Sequence, residues 1–284
     1  MINNFFITGD THGSVEERLI KLQLKFPEAK PEETAIIILG DAGINYWLNR
    51  TDLKNKKIIS SFGYTIYCVR GNHEERPENL PTMILKNDPN VKGMVWMEEE
   101  FPLIRYFADG GIYNINNHSC LVLGGAYSVD KYWRIQRAAA RNQSFSGWFK
   151  DEQLSLEERE FIFNKIKNKS FDFILSHTAP ISCEPKDLFL PEIDQTLVEK
   201  DMEFWLEDIK QATNWGVWCW GHYHRDRIEA PYCEMFYEYV ENIEDIWARW
   251  KNYRKDNYLP SWLPLAPNFY RLRKEMKNGT SRGL

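Results

Sequence analysis

The sequence is poor in cysteine and has no cysteine motif. Five cysteines are scattered over 284 residues, and none forms a Cys-x-x-Cys pair. This argues against a disulfide framework and favours a reducing compartment, so we expect a cytoplasmic protein. Cys68 and Cys219 lie inside apolar runs and are expected to be small core residues.

Long apolar runs and an excess of basic residues are also missing. No run approaches the length of about 20 residues that a membrane helix needs. The segment MINNFFITGD has neither a basic region nor a long apolar stretch, so we expect no secretory signal. The 36 basic and 41 acidic residues give a net charge of −5, which argues against a broad nucleic-acid surface.

Short apolar runs recur along the chain, and most of them end in glycine and a polar residue. They are FFITGD, AIIILGD, TIYCVRGNH, CLVLGG, FDFILSH and VWCWGH. Near-continuous runs of this length are typical of buried strands. Possible capping boxes predict helices between them, and the pairs are Ser14 with Glu17, Ser155 with Glu158 and Thr196 with Glu199. Strands that alternate with helices predict an α/β fold.

Carboxylate, imidazole and amide side chains are concentrated just past these strand ends. They are Asp10 and His12 in GDTHG, Asp41 in GDAG, Asn72 and His73 in RGNHE, His177 in SHTAP, and His222 and His224 in GHYH. In open α/β sheets such positions meet beyond the carboxyl ends of the strands. The set contains no thiolate, which suits Mn, Fe or Zn with open water positions. It suffices for two ions if one carboxylate bridges them.

The order of these motifs resembles the calcineurin-like metallophosphoesterase superfamily. Its signature is Asp-x-His, Gly-Asp, Gly-Asn-His with a following acid, a lone His, and Gly-His-x-His, and all five blocks occur here in that order. The resemblance implies a four-layer α/β/β/α fold, a central β-sandwich flanked by helices. It also implies hydrolysis of a phosphoester by a hydroxide that bridges two divalent ions, with Mn the metal expected in vitro.

The resemblance assigns roles by matched position. The first metal would be held by Asp10, His12 and His224, the second by Asn72, His177 and His222, with Asp41 bridging both. His73 would act as general acid for the leaving oxygen or stabilise its charge. Glu74 would orient the His73 ring, and Arg70 would hold a pair of phosphate oxygens.

Several of these assignments have plainer alternatives. The metal set could cap helices and turns, Arg70 could form an ordinary salt bridge, and Glu74 could be an acid at a helix N-terminus. The segment GGAYSVDKYWR (124–134) is expected to form a short loop. Either Lys131 or Arg134 contacts a substrate phosphate from this loop, or its aromatic rings fill core and its charges are solvated. His118 is expected to be a turn residue without a role.

The class of phosphoester stays open at this level. RGNHE favours the phosphoprotein phosphatases, but GDAGINYW lacks the GDxxDRG form that those enzymes carry. The expected partner is a phosphorylated substrate, whether a phosphomonoester or a phosphodiester, a phosphoserine or phosphothreonine protein, or a nucleotide. A non-catalytic scaffold with the same fold is the alternative from another class. We expect one catalytic domain over residues 1–241 and a C-terminal helical or irregular extension over 242–284, packed on it.

Overall fold

The computed structural model describes residues 1–261 and 263–266. The strands of this part are β1 Asn4–Thr8, β2 Thr34–Ile38, β3 Thr65–Cys68, β4 Met83–Asp88, β5 Gly93–Glu98, β6 Ile104–Phe107, β7 Gly111–Ile115, β8 His118–Leu123, β9 Ser170–Ser176, β10 Asn214–Trp220, β11 Arg227–Ala230, β12 Cys233–Met235 and β13 Glu241–Asn242. The helices are α1 Val15–Lys25, α2 Arg50–Ser61, α3 Lys131–Ala140, α4 Leu156–Ile166, α5 Asp201–Ala212 and α6 Ile243–Asp256. Within these bounds, no helix is both long and apolar enough to cross a membrane.

The strands form two sheets. The first has the order β13-β1-β2-β3-β6-β5-β4, and the second has the order β11-β12-β10-β9-β8-β7. Strands β1, β2 and β3 are parallel, as are β8, β9 and β10. Because the carboxyl ends of parallel strands meet at one edge of a sheet, the loops that follow them can share one site.

Three apolar clusters divide the molecule into layers. Alternate residues of β1 point to opposite faces, so that Phe5 and Ile7 belong to the cluster between the sheets, whereas Phe6 packs with α1 and α2. The outer face of the second sheet packs in the same way on α4 and α5. The predicted four-layer α/β/β/α fold is therefore confirmed. Apolar cover on both faces also explains why the strand sequences are near-continuous apolar runs.

Helix α6 contributes to the core between the sheets. Ile246 and Trp250 are buried in the cluster that joins the two sheets, and β13, just before the helix, pairs with β1. The domain boundary expected after residue 241 stays a prediction, and residues 267–284 lie outside the described part. All five cysteines are buried and free, and Cys68 and Cys219 are core residues as expected.

Only one of the three expected capping boxes forms. Ser155 accepts a hydrogen bond from the backbone N–H of Glu158, and the Glu158 side chain accepts one from Ser155. Ser14 precedes α1, but its φ of −91° and ψ of 39° lie outside the extended region that a capping side chain requires, and its hydroxyl makes no cap hydrogen bond. Thr196 lies in a short 3₁₀ turn capped by Asp194, and α5 begins only at Asp201.

Two further local predictions are wrong. His118 is not a turn residue, because it begins β8 and its Nε2 lies 3.0 Å from Glu244 Oε1 of α6. The segment 124–134 is not wholly a loop, because α3 begins at Lys131. Within it Tyr127 is buried, whereas Tyr132 and Trp133 are exposed and fill no core.

Candidate metal centre

The structure brings the seven predicted ligand residues to one place. They follow β1, β2, β3, β9 and β10, and thus come from both sheets. Five of them belong to groups of side chains that could hold an ion. The other two, Asn72 and His222, contact His177 of one such group. The groups are Asp10 with His12 and His224, His12 with Asp41 and His73, and Asp10 with Asp41 and His177.

The first cluster is made by Asp10, His12 and His224. Asp10 Oδ2 lies 3.2 Å from His224 Nε2 and 3.8 Å from His12 Nε2. The two imidazole Nε2 atoms are 2.9 Å apart. Three donor atoms thus face one small volume, as the assignment to the first metal requires.

The second cluster is made by Asn72, His177 and His222, beside Asp41. His177 Nε2 lies 2.8 Å from Asn72 Oδ1 and 3.5 Å from Asp41 Oδ1, and the His177 and His222 ring centroids are 4.9 Å apart. The other carboxylate oxygen, Asp41 Oδ2, lies 4.0 Å from His12 Nε2 of the first cluster. Asp41 therefore stands between the two clusters.

Strained backbone positions carry four of these side chains. His12, Asp41, His222 and His224 have φ values of 46°, 48°, 68° and 51°, in the left-handed region that residues other than glycine rarely adopt. Such conformations cost of order 1–3 kcal/mol each and are concentrated at functional sites, where the surrounding fold holds them. The tight turns after the strands aim these side chains at one another.

Two glycines allow the carboxylates to approach the backbone closely. A Cβ at Gly71 would overlap Asp41 Oδ1, and a Cβ at Gly221 would overlap Asp10 Oδ1. The next turns donate backbone N–H groups to the same oxygens, from His73 to Asp41 and from His222 to Asp10, each at 2.8 Å. One oxygen of each carboxylate is thus anchored, and the other faces imidazole nitrogens.

The charges and the donor set fit divalent cations. Burial would raise the pKa of Asp10 and Asp41, but the neighbouring histidines outweigh it, so that the pKa of both carboxyls is lowered. Asp10 Oδ2 is buried with no aligned hydrogen bond within the described residues. A buried, ionised oxygen that faces two imidazoles is suited to a cation. Carboxylate, imidazole and amide oxygen together suit Mn, Fe or Zn.

Partners outside the motifs orient two of the ligand candidates. His177 Nδ1 lies 2.8 Å from the carbonyl oxygen of Leu39, which leaves Nε2 free to face the site. The Asn72 amide donates to Ser128 Oγ at 2.9 Å, and Ser128 in turn donates to the buried Glu152. Ser128 lies in segment 124–134, which the sequence indicated as a candidate for substrate contact. No sequence motif indicated Glu152.

His73 stands at the edge of the site and contacts an arginine. Its Nε2 lies 3.8 Å from Asp41 Oδ2 and 2.7 Å from the Arg134 NH2 group. A guanidinium can only donate, so Nε2 is the acceptor and the proton of the neutral ring lies on Nδ1. Burial lowers the pKa of His73 to about 4, with the Arg134 charge acting in the same direction and Asp41 opposing it. Tyr46 stacks on the ring, with centroids 6.2 Å apart.

Arg70 forms a buried ion pair with Asp109. Its Nε donates to Asp109 Oδ2 at 2.8 Å, and its NH1 donates to the carbonyl oxygen of Glu152 at 2.7 Å. The side chain is only 1% exposed. The plainer alternative, a salt bridge, is present, whereas the Arg70 NH2 group is buried with no hydrogen-bond partner among the described residues, so contact with phosphate stays a prediction.

Glu74 does not contact the His73 ring either. Its carboxylate accepts hydrogen bonds from the backbone N–H of Gly71 at 2.9 Å and from the Tyr106 hydroxyl at 2.8 Å. Burial raises the pKa of Glu74 to about 7. The Glu74 side chain thus links the backbone of the Gly-Asn-His turn to Tyr106 of the first sheet. Its two hydrogen bonds are not to the His73 ring.

A cavity of about 370 Å³ opens beside the two clusters. Its site end is formed by Asp41, Asn72, His73, His222 and His224. The segments 127–134 and 188–203 line the remainder, and the second of these contributes apolar side chains such as Leu188, Phe189 and Val198. A phosphate at the site would therefore have room beside it for an organic group.

The fold, the two clusters of charged and imidazole donors and the adjoining cavity define a metal-dependent hydrolase. The family model for calcineurin-like phosphoesterases matches residues 4–226, which include every predicted metal ligand. The chain belongs to this family and is a metal-dependent phosphoester hydrolase, as the motifs predicted. No curated protein matches the chain.

Proposed function

We propose that the protein hydrolyses a phosphomonoester or phosphodiester with two divalent ions. The ligands would be the predicted set, Asp10, His12 and His224 for one ion, Asn72, His177 and His222 for the other, and Asp41 for both. The position of Asp41 carries the proposal, because its two oxygens face His177 and His12 at 3.5 and 4.0 Å. Mn, Fe and Zn suit these donors, and Mn is the metal we expect to support activity in vitro.

The protein's own groups would position the metal ligands and assist proton transfer. When bound, two ions would lower the pKa of a water molecule and neutralise charge on phosphoryl oxygens. The backbone N–H groups of His73 and His222 hold the carboxylates of Asp41 and Asp10 in place. The His73 ring borders the same cavity as Asp41. It is therefore placed to stabilise the leaving oxygen or to move a proton at it.

The cavity favours a small phosphorylated substrate over a phosphoprotein. The segment 188–203 adds an apolar wall next to the site, and a drug-sized or nucleotide-sized group fills a cavity of some 300–1,000 Å³. The missing GDxxDRG form of the second motif points in the same direction. The proposed partner is therefore a small phosphoester, and the proposed location is the cytoplasm.

Hydrolysis of two chromogenic esters tests the proposal. We expect p-nitrophenyl phosphate, bis(p-nitrophenyl) phosphate or both to be hydrolysed with Mn²⁺ and not with a chelator. Elemental analysis of the same samples should find close to two ions per chain. Two bound ions without turnover of either ester would instead favour the non-catalytic scaffold, and one ion with turnover would overturn the dinuclear arrangement.

A further inference from the structure

We propose that Arg134 binds the phosphoryl oxygens of the substrate. This inference rests on the proposed function, since it assigns the phosphate-binding side chain of the same site. A phosphoryl group beside acidic ligands gains from a fixed cation, and Arg70, which the motifs suggested for this task, pairs with Asp109 and is not among the residues that line the cavity. Arg134 enters the cavity from helix α3 and lies at its site end, next to His73.

Two acceptors fix the Arg134 side chain in position. Its Nε donates to Asp130 Oδ2 at 2.8 Å, and its NH1 donates to the carbonyl oxygen of Gly147, also at 2.8 Å. The residue is 9% exposed. With these two directions occupied, the remaining NH2 edge faces the site and meets His73 Nε2 at 2.7 Å. The guanidinium is thus oriented before any substrate arrives.

The lysines near the cavity contact carboxylates and aromatic rings. The Lys131 Nζ lies 4.3 Å from the centroid of the Tyr127 ring and 3.7 Å from Glu199 Oε2. The Lys200 Nζ lies 2.6 Å from Glu184 Oε1 and over the Phe189 ring. Among the described residues that line the cavity, Arg134 is the one arginine. Of the two cations that the sequence offered from segment 124–134, the structure therefore favours Arg134.

The contact with His73 indicates how phosphate would be accepted. A neutral imidazole nitrogen offers a guanidinium one uncharged acceptor, whereas a phosphoryl group offers anionic oxygens that attract the guanidinium charge and match its planar fork. A phosphoryl oxygen would replace His73 Nε2 on the NH2 edge of Arg134. The same exchange would release the His73 ring toward the leaving oxygen. Arg134 would thus hold the substrate and free His73 together.

Inorganic phosphate is the direct probe of this assignment. We expect isothermal titration calorimetry on the Mn-loaded protein to show phosphate binding that weakens roughly 10- to 100-fold in Arg134→Ala, the size of a lost charged hydrogen bond. The loss also leaves Asp130 uncompensated on the cavity wall. Arg134→Lys should retain part of the affinity, since it keeps the charge but not the planar fork. Metal content should stay unchanged in both variants.

The matched control is Arg137→Ala on the same helix. The Arg137 guanidinium lies 5.0 Å from the ring of the exposed Trp133, away from the cavity lining. This variant should bind phosphate as the wild type does. Millimolar guanidinium should restore part of the phosphate affinity and turnover of Arg134→Ala. A side chain that only braces α3 would show no such rescue.

The outcomes separate this inference from the proposed function. Phosphate affinity that is unchanged in both Arg134 variants, or absent from the Mn-loaded wild type, overturns the role of Arg134. Loss of affinity with loss of metal also overturns it, because the residue would then act on the ion site. Phosphate binding that depends on Arg134 without hydrolysis of either ester supports Arg134 and contradicts the proposed catalysis.

Discussion

Substitutions of Asp41, between the two clusters, and of His73, at the edge of the site, are expected to have different effects. Asp41→Asn should lose most bound metal and most activity, because an amide cannot offer two anionic oxygens to the two clusters. His73→Ala should keep its metal and lose roughly 10²- to 10⁴-fold in rate, the usual contribution of a positioned acid–base side chain. Elemental analysis of bound metal, together with kcat, distinguishes the two variants. A metal-free His73→Ala protein would show that the assigned role is wrong.

Gly71 tests whether close approach of the backbone holds Asp41 in place. In Gly71→Ala the added Cβ would overlap Asp41 Oδ1 and the Asp41 backbone nitrogen, so we expect the carboxylate to move and metal content to fall. Gly63→Ala is the control. There the Cβ meets Pro31 at 3.4 Å, and the cost is about 1 kcal/mol for a φ of +79°. Elemental analysis should find full metal content in the control only.

At this scale the sequence predicted which residues meet but not where every side chain points. Asp10, Asp41 and His177 could be placed because each follows a buried strand, and the ends of parallel strands lie together. Arg70 and Glu74 are neighbours of Asn72 and His73 in sequence, but their side chains turn toward Asp109 and Tyr106. The position of a residue next to a motif does not show where its side chain points. The hydrogen-bond partners that set this direction are more than 30 residues away in the sequence.

The two serines that precede α1 and α4 provide a test of helix capping. Ser155 forms both bonds of a capping box, so Ser155→Ala should lower the free energy of unfolding by about 1 kcal/mol. Ser14 makes no cap hydrogen bond, and Ser14→Ala should change stability by no more than a few tenths of a kcal/mol. Urea unfolding of the metal-free proteins measures both. Equal losses would contradict the difference in cap geometry.

Helix boundaries were harder to predict than strands because local signals compete. Thr196 and Glu199 have the spacing of a capping box, but the carboxylate of Asp194 accepts from the Thr196 N–H and closes a separate turn first. Helix α3 was hidden for another reason. Its buried side chains are Arg134 and Ala138, whereas Tyr132 and Trp133 are exposed, so the helix reverses the apolar-inside pattern of an amphipathic surface helix.

The arrangement of the whole molecule follows from strands that are apolar on both faces, because each sheet then needs cover on two sides. The four layers themselves were expected from the resemblance to the calcineurin-like family, and the alternating strand and helix signals agreed with them. The role of α6 could not be predicted in the same way. Its Arg249 is buried between Glu234 of β12 and Glu241 of β13, one from each sheet. Such a cluster is made by tertiary packing and leaves no periodic signal in the sequence.

This buried cluster should make stability depend on pH. Burial raises the pKa of Glu234 from 4.5 to about 7, although Arg249 acts in the opposite direction. Between these pH values the folded protein holds a proton that the unfolded chain releases, so the contribution of Glu234 is full below pH 4.5 and is lost as the pH rises through about 7. Relative to Glu234→Gln, the metal-free wild type should therefore lose free energy of unfolding across this range.

Urea unfolding of both proteins from pH 4.5 to 8 measures this difference, and titrations elsewhere in the chain cancel because the two proteins share them. Glu160→Gln is the control, since it removes a carboxyl from the exposed surface of α4; its difference from the wild type should stay flat over the same range. A flat difference for Glu234→Gln as well would mean that Glu234 is ionised throughout beside Arg249. The contact of Arg249 with Glu234 would then be an ion pair at every pH in this range, and its contribution to stability would not depend on pH.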